Sequence, residues 1–418
     1  MRVLMLTWEY PPRVVGGLAR HVYHLAGALS GRGVEVHVLT CGQEGSVPRE
    51  TQARVTIHRV QPYPVTTPGF LPWVLQLNVA MLEQGVSIME GEGPFDLIHA
   101  HDWLVALAAR ALKHLYRTPL IATIHATEHG RHQGLHNPDQ RYISGVEWYL
   151  TYEAWKVICC SQYMKSDLMS VFGLPPEKLA VIPNGIDPGQ LAADPLAPGR
   201  SPNVLFVGRL VPEKGVSVLL DAAPRVLEAC PEARFIVVGS GPAASELQHR
   251  AAGAGVGDRV TFAGYVDDET LAKLYRLAAV AVFPSLYEPF GIVALEAMAS
   301  GAALVVSDTG GLAEIVEHEV NGIKTEPGNA RALAEHIIRL LTNEPTRQRL
   351  VAAAYQKAVR DYSWPGIAAA TFGVYTATVA AHRDSSWRRD LSSEMIRRAR
   401  ALGRQMLAGQ YGQGETHG

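Results

Sequence analysis

The 418-residue chain is poor in several features, and each scarcity narrows what it can be. It has four cysteines, Cys41, Cys159, Cys160 and Cys230, with no C-x-x-C spacing, and the adjacent pair lies in the apolar run "KVICCS". Neither a disulfide framework nor a zinc site is therefore expected. There is no basic excess: 38 Lys and Arg stand against 40 Asp and Glu, a net charge of −2, so nothing in the balance calls for nucleic acid. No apolar run approaches the ~18 residues of a membrane span. The opening "MRVLMLTWEYPP" has one basic residue and reads as a buried strand without a cleavage site, so no signal peptide is expected and the expected location is cytoplasmic.

What the chain does have is apolar content, 47% of its residues, arranged in a repeating pattern. Short β-branched runs alternate with helical patterns of about 10 to 15 residues, which predicts parallel sheets with helices on both faces. "RVLMLT", "VEVHVLT", "RVTIHRV", "FDLIHA", "PLIATIH", "KVICCS" and "KLAVIP" are the strands of a first half. "NVLFVG", "RFIVVG", "RVTFAG", "VAVFPS" and "ALVVSD" are those of a second. Residues 184–203, rich in Gly, Pro and Ala, read as the linker between them. The expected fold class is α/β, with Rossmann-like doubly wound domains over residues 1–190 and 200–364 facing each other across a cleft. From about residue 365 to 418 the chain reads as helices that pack back on the first domain. The tail 384–418 also carries a basic, weakly amphipathic pattern suited to a membrane surface, but packing on the protein is the preferred reading.

Polar residues collect where the strands end. In "FVGRLVPEKG", Arg209 and Lys214 flank a helix start, an arrangement suited to a diphosphate. Gly239 in "VVGSGP" permits close backbone approach, to a ligand or simply in a turn. Gly310 and Gly311 in "SDTGGLAEI" offer further N–H donors at the same edge. In "PSLYEPFGIVALEAMASG", Pro289 would cost about 3 kcal/mol in a helix interior, so a helix should start near Gly291. Glu288 then lies in the loop before a helix N-terminus and Glu296 inside the helix, each placed to accept hydrogen bonds from sugar hydroxyls. In "IHAHDW", His99 and His101 share one strand face and Asp102-Trp103 follow the strand end. His125 ends another strand and is followed by a polar loop, residues 125–141, containing Glu128, His129 and Arg131. The H-x-H spacing admits a metal site, but its place on a middle strand of an open sheet argues for none.

"EPFGIVALE", "GRLVPEKG" and the glycine pair of "EYPPRVVGG" together resemble a retaining, nucleotide-sugar-dependent glycosyltransferase of family 4, with the two-domain GT-B fold, from the first strand to about residue 380. "HAHDW" and "TIHATEHGR" are most similar to bacterial and archaeal glycogen synthases. The resemblance implies that Arg209 and Lys214 hold the donor diphosphate and that Gly16 and Gly17 cap it from the other domain. Glu288 would contact the donor sugar, Glu296 the ribose, and the backbone of Phe290, Gly291 and Ile292 the sugar and phosphate. His125 would lie at the reacting carbon and Asp102 on the acceptor side. One departure is Val14, where glycogen synthases carry a lysine two residues before the paired glycines.

The expected activity is transfer of a hexose, glucose first, from an ADP- or UDP-linked donor to a carbohydrate, with no metal and no cofactor. The density of hydrogen-bonding groups in 125–141, including Glu128 and Arg131, favours a water-soluble acceptor, an α-glucan or malto-oligosaccharide before a small sugar or sugar phosphate, with Trp103 or Trp148 as its aromatic face. A membrane-associated transferase with a lipid acceptor, a sugar-nucleotide epimerase and a non-catalytic sensor are the alternatives.

Overall fold

The structure, a computed structural model, describes residues 1–191 (except 53 and 67) and 200–387. The centre of the expected linker and most of the basic tail lie outside the described residues. Among those described, eight strands form a first sheet: β1 (Arg2–Thr7), β2 (Glu35–Cys41), β3 (Arg49–Gln52), β4 (Val55–Val60), β5 (Leu97–His101), β6 (Leu120–Ile124), β7 (Lys156–Cys159) and β8 (Leu179–Val181). Their order is β3-β4-β2-β1-β5-β6-β7-β8, parallel except for the β3/β4 pair. The second sheet contains β9 (Ser201–Val207), β10 (Arg234–Val238), β11 (Val260–Gly264), β12 (Ala278–Phe283), β13 (Ala303–Ser307) and β14 (Ile323–Thr325), in the order β11-β10-β9-β12-β13-β14.

Burial explains why the strands read as unbroken apolar runs. Leu4 and Leu6 of β1 enter one core while Val3 and Met5 enter the core on the opposite face, and Leu205 and Val207 of β9 separate in the same way from Val204 and Phe206. Successive side chains point to opposite faces, and in each sheet both faces are covered. Two edge strands escaped sequence reading: β3 ("RETQ") is polar and mostly exposed, and β14 has only three residues. Edge strands have one paired side and little apolar surface to bury, so the periodic signal is weak there.

In each sheet the strand order reverses beside the first strand, and that position is where open α/β sheets present ligand sites, beyond the carboxyl ends of the strands. The segments after β1, β6 and β7 meet those after β12 and β13 across a cleft. Ser161 Oγ donates to the Pro289 carbonyl (2.7 Å), and Glu314 accepts from the Gln162 and Tyr163 amides (2.9 and 2.7 Å). The helix Trp364–Asp384 returns to the first sheet, where Trp364, Ile367, Tyr375 and Val379 join the core that contains Val3, Met5 and Val22.

Candidate active site

On the second-sheet side the loops are tied together before any ligand is considered. Lys214 Nζ lies 2.6 Å from Glu288 Oε2, and Ser285 Oγ donates to the same oxygen at 3.3 Å. Lys214 is positioned by a short turn (Pro212–Lys214) in front of the helix Val216–Ala229, whose N-cap is Gly215. Arg209, more exposed, pairs with Glu213 at 3.4 Å. The helix that follows Pro289 runs Ile292–Ala299 with Gly291 as N-cap, so Glu288 precedes an N-terminus whose first N–H groups have no partner within the helix. Phe290 is buried against Tyr362.

The glycines of this side approach protein backbone. A Cβ on Gly239 (φ +129°) would lie 1.9 Å from the Gly208 carbonyl oxygen, and its N–H already donates to Gly264 (2.8 Å). Its close approach is therefore to a neighbouring strand end. The Gly311 amide donates to the Glu288 carbonyl (2.8 Å), so the glycine pair holds the glutamate loop from below.

Glu296 is buried, and both of its oxygens are engaged. Tyr275 donates to one (2.9 Å), and Arg20 reaches the other (3.1 Å) from the first-sheet half, across the cleft. Burial raises its pKa and Arg20 opposes that shift. Arg20 also pairs with Asp268. It stands in the first helix, Gly17–Gly31, and nothing in the local sequence marks it as a partner of a glutamate 276 positions away.

On the first-sheet side, the carboxylate of Glu9 accepts from the Val15 and Gly16 amides (2.5 and 3.1 Å) and shapes the glycine loop. Gly17 faces Ile292, whose Cδ1 would lie 3.0 Å from a Cβ placed there. Asp102 is buried with φ +59°, a rare conformation for a residue with a side chain. Its Oδ1 accepts the His125 amide at 2.8 Å. Burial raises its pKa to about 6, against the pull of Arg131.

The two histidines of the H-x-H spacing part company, one bonding away from the site and the other toward His125. His99 turns to Tyr375 Oη (2.6 Å) and Thr123 Oγ1 (2.7 Å), while His101 Nδ1 lies 3.3 Å from His125 Nε2. The third ring beside them is His21 (4.8 Å from His125), which sequence reading missed. Its only signal was a histidine on the apolar face shared by Leu18, Val22 and Leu25. Burial lowers the pKa of all four, which keeps them neutral. His21, His101 and His125 are the one group among the described residues whose spacing admits a cation. His101 and His125 are the one hydrogen-bonded pair in this group, and among the described residues His21 Nδ1 and His101 Nε2 are buried without a partner.

Two of the acceptor-side expectations, the open loop and Trp103, need correction. Residues 125–141 are not an open polar loop: they contain the helix Glu128–His132 and the start of the helix Pro138–Glu153, capped by Thr127 and Asn137, so part of the polar inventory serves the backbone. Trp103 is only 5% exposed and packs among Val74, Leu104 and Phe70, so it offers no free face. Trp148 is exposed, stacks on Tyr152 and lines a pocket with His129 and Phe172. Glu128 is buried beside His132 (3.2 Å), whereas Arg131 stays close enough to Asp102 and His125 to act on both.

Beneath this helix lies Glu147, fully enclosed, with both oxygens accepting the Glu128 amide (3.0 Å each). Burial raises its pKa to about 8. The folded protein therefore holds a proton that the unfolded chain releases, and this contribution to stability falls as pH rises from 4.5 to about 8. Glu147→Gln should flatten that decline: the wild type should lose at least ~2 °C of Tm relative to the variant across this range. Parallel melting curves would refute the assignment.

Comparison with known proteins follows the same division of the chain. Residues 15–190 match the family described as Glycosyltransferase Family 4, and residues 190–357 match Glycosyl transferases group 1. An uncharacterised glycosyltransferase of Methanocaldococcus jannaschii is 41% identical over 388 residues, 90% of this chain and 98% of its own. A glycogen synthase of Mycobacterium tuberculosis is 36% identical over 398 residues, 92% of this chain and 96% of its own. The solved structure of sucrose-phosphate synthase from Thermosynechococcus elongatus superposes with a TM-score of 0.79 at 26% identity, covering 91% of this chain and 99% of that one. With two facing sheets, both family patterns laid end to end over them, and relatives similar along nearly their whole lengths, the chain belongs to glycosyltransferase family 4 as a GT-B enzyme related to the bacterial and archaeal glycogen synthases.

Proposed function

We propose that the protein moves glucose from an ADP- or UDP-linked donor to a hydroxyl of a water-soluble carbohydrate, with the anomeric configuration retained. The observation that carries this reading is that the His125 strand end and the Glu288–Gly291 loop share one neighbour across the cleft: Cys160 Sγ reaches the carbonyls of His125 (4.0 Å) and Pro289 (3.6 Å), with Asp102 on the His125 amide and Lys214 on Glu288. In this reading residues 200–364 bind the donor and residues 1–190 receive the acceptor. Lys214 and Arg209, with Gly16, Gly17 and the helix N-terminus, take up the charge that develops on the departing diphosphate. These fixed cations do the work that a divalent ion would otherwise do.

The backbone of Phe290, Gly291 and Ile292 and the Glu288 carboxylate hold the transferred sugar, and Glu296 receives the ribose in place of Arg20. The acceptor oxygen bonds to the anomeric carbon as the bond to phosphate oxygen breaks, and its proton passes to the leaving diphosphate. The His125 carbonyl stabilises the positive charge on the sugar. Double displacement would need a free carboxylate on the far face. Of the carboxylates beside the site, Glu288 is engaged by Lys214 and Asp102 by the His125 amide, which favours attack from the front.

Likeness to a glycogen synthase along nearly the whole chain supports an α-glucan or malto-oligosaccharide as acceptor. The test is a matrix of nucleotide sugars against malto-oligosaccharides, small sugars, sugar phosphates and a lipid extract, with EDTA present and the anomeric configuration read by NMR. Chain extension with a new α-linkage is expected. Transfer only to lipid, formation of an altered free sugar without acceptor, or a strict divalent-ion requirement would each overturn this reading.

A further inference from the structure

The polar inventory around Asp102 leaves one surface of the first-sheet half unexplained. Trp8 follows β1, and Phe70 and Trp73 occupy the first turn of the helix Phe70–Gly91. The Phe70 and Trp73 rings are nearly parallel (13°), centroids 5.8 Å apart, and Trp73 is half-buried. Trp8 meets Trp73 edge-on at 6.4 Å, and Trp103, the residue after Asp102, backs Phe70 at 6.2 Å. The Arg13 guanidinium lies over both tryptophans, 5.4 Å from Trp8 and 5.7 Å from Trp73, and its buried Nε has no hydrogen-bond partner among the described residues. Phe70 is 52% exposed.

A single exposed phenylalanine needs no explanation. A nearly parallel pair of rings, backed by two further tryptophans and fixed by an arginine with an unused N–H, one residue from Asp102 and three from the glycine pair, is a built surface. Its charge indicates what it can hold. The helix "FLPWVLQLNVAMLEQGVSIMEG" contains no Lys or Arg and two carboxylates, and the preceding "QPYPVTTPG" is uncharged. An anionic bilayer would require basic residues here. A neutral ligand with apolar faces and a hydroxyl rim requires flat rings and a few donors, and those are what it offers.

We propose that Phe70, Trp73 and Arg13 form an acceptor subsite for a neutral oligosaccharide, an α-glucan chain, with pyranose faces stacked on the two rings and hydroxyls accepting from Arg13. This rests on the carbohydrate acceptor proposed above and assigns it a location. Arg13 then supplies a fixed donor in a loop where Val14 replaces the lysine of glycogen synthases.

The test uses the full-length enzyme with maltoheptaose. Phe70 is a surface residue, so Phe70→Ala should fold normally, raise the acceptor KM by about tenfold, leave the donor KM and the slow transfer to water unchanged, and be rescued by Phe70→Tyr. Arg13→Gln should raise the same acceptor KM. Titration of maltoheptaose without donor should quench tryptophan fluorescence in the wild type and not in Trp73→Phe. If the wild type extends maltoheptaose while Phe70→Ala and Arg13→Gln keep its acceptor KM, the subsite is refuted and the carbohydrate reading stands. If the wild type uses no soluble sugar and instead sediments with neutral vesicles in a Phe70-dependent way, both readings fall.

Discussion

Lys214→Ala should lower kcat at least ~100-fold, raise the donor KM, and destabilise the fold. The ammonium lies 2.6 Å from Glu288, whose remaining neighbour on that oxygen is the Ser285 hydroxyl at 3.3 Å. Glu288 is buried, so removing the lysine leaves a carboxylate with too little to balance its desolvation, a loss that typically reaches ~3–5 kcal/mol for enclosed pairs. Lys214 is partly open to solvent, so the lower end of that range is expected here. Stability and catalysis should separate in the double variant. Adding Glu288→Gln removes the orphaned charge and should restore most of the lost Tm. It should not restore turnover, because both the cation for the diphosphate and the carboxylate for the sugar are then gone. Steady-state kinetics and thermal unfolding of the three variants measure this directly. Wild-type turnover in Lys214→Ala would remove the pair from the mechanism.

Gly310→Ala should be nearly as severe, although the residue touches no substrate in the proposed mechanism. Its φ is +53°, and an added Cβ would lie 2.0 Å from the Glu288 carbonyl oxygen. The left-handed conformation alone costs a side-chain-bearing residue about 1–2 kcal/mol. The clash is with backbone, so it is relieved only by moving the Glu288–Phe290 loop, which the neighbouring Gly311 amide holds by a 2.8 Å hydrogen bond. A displacement near 1 Å at a reacting sugar costs on the order of 100-fold in rate. The expected signature is a loss in kcat that exceeds the loss in nucleoside diphosphate affinity, measured by calorimetry, because Arg209 and Lys214 belong to another loop and keep their charges. Retained kcat would mean that this loop does not position the sugar.

Both predictions concern contacts between segments that are far apart in the chain, and there the sequence was least informative. The start of the helix at Gly291 was legible because a proline inside a helix is costly, and that alone separated Glu288 from Glu296. Likewise, the pairing of His99 with Tyr375 could not be anticipated, since it depends on the last described helix returning 276 residues later to cover β5. The expected polar loop failed for a related reason. Thr127 and Asn137 carry hydrogen-bonding groups that serve equally for ligand or for helix caps, and spacing does not distinguish the two.

By itself, then, the sequence determined the alternation of strand and helix, the two sheets, the family, and the residue types gathered at the strand ends, because these follow from local propensity and from burial of both sheet faces. The tertiary structure alone decided which of those residues meet. It joined Lys214 to Glu288, set Arg20 against Glu296 across the cleft, brought His21 rather than His99 to His125, and left Phe70 exposed and Trp73 half-buried where Trp103 is enclosed. Such pairings depend on how strands far apart in sequence are ordered in a sheet and how two sheets face each other, and no periodicity within a strand or helix encodes that distance.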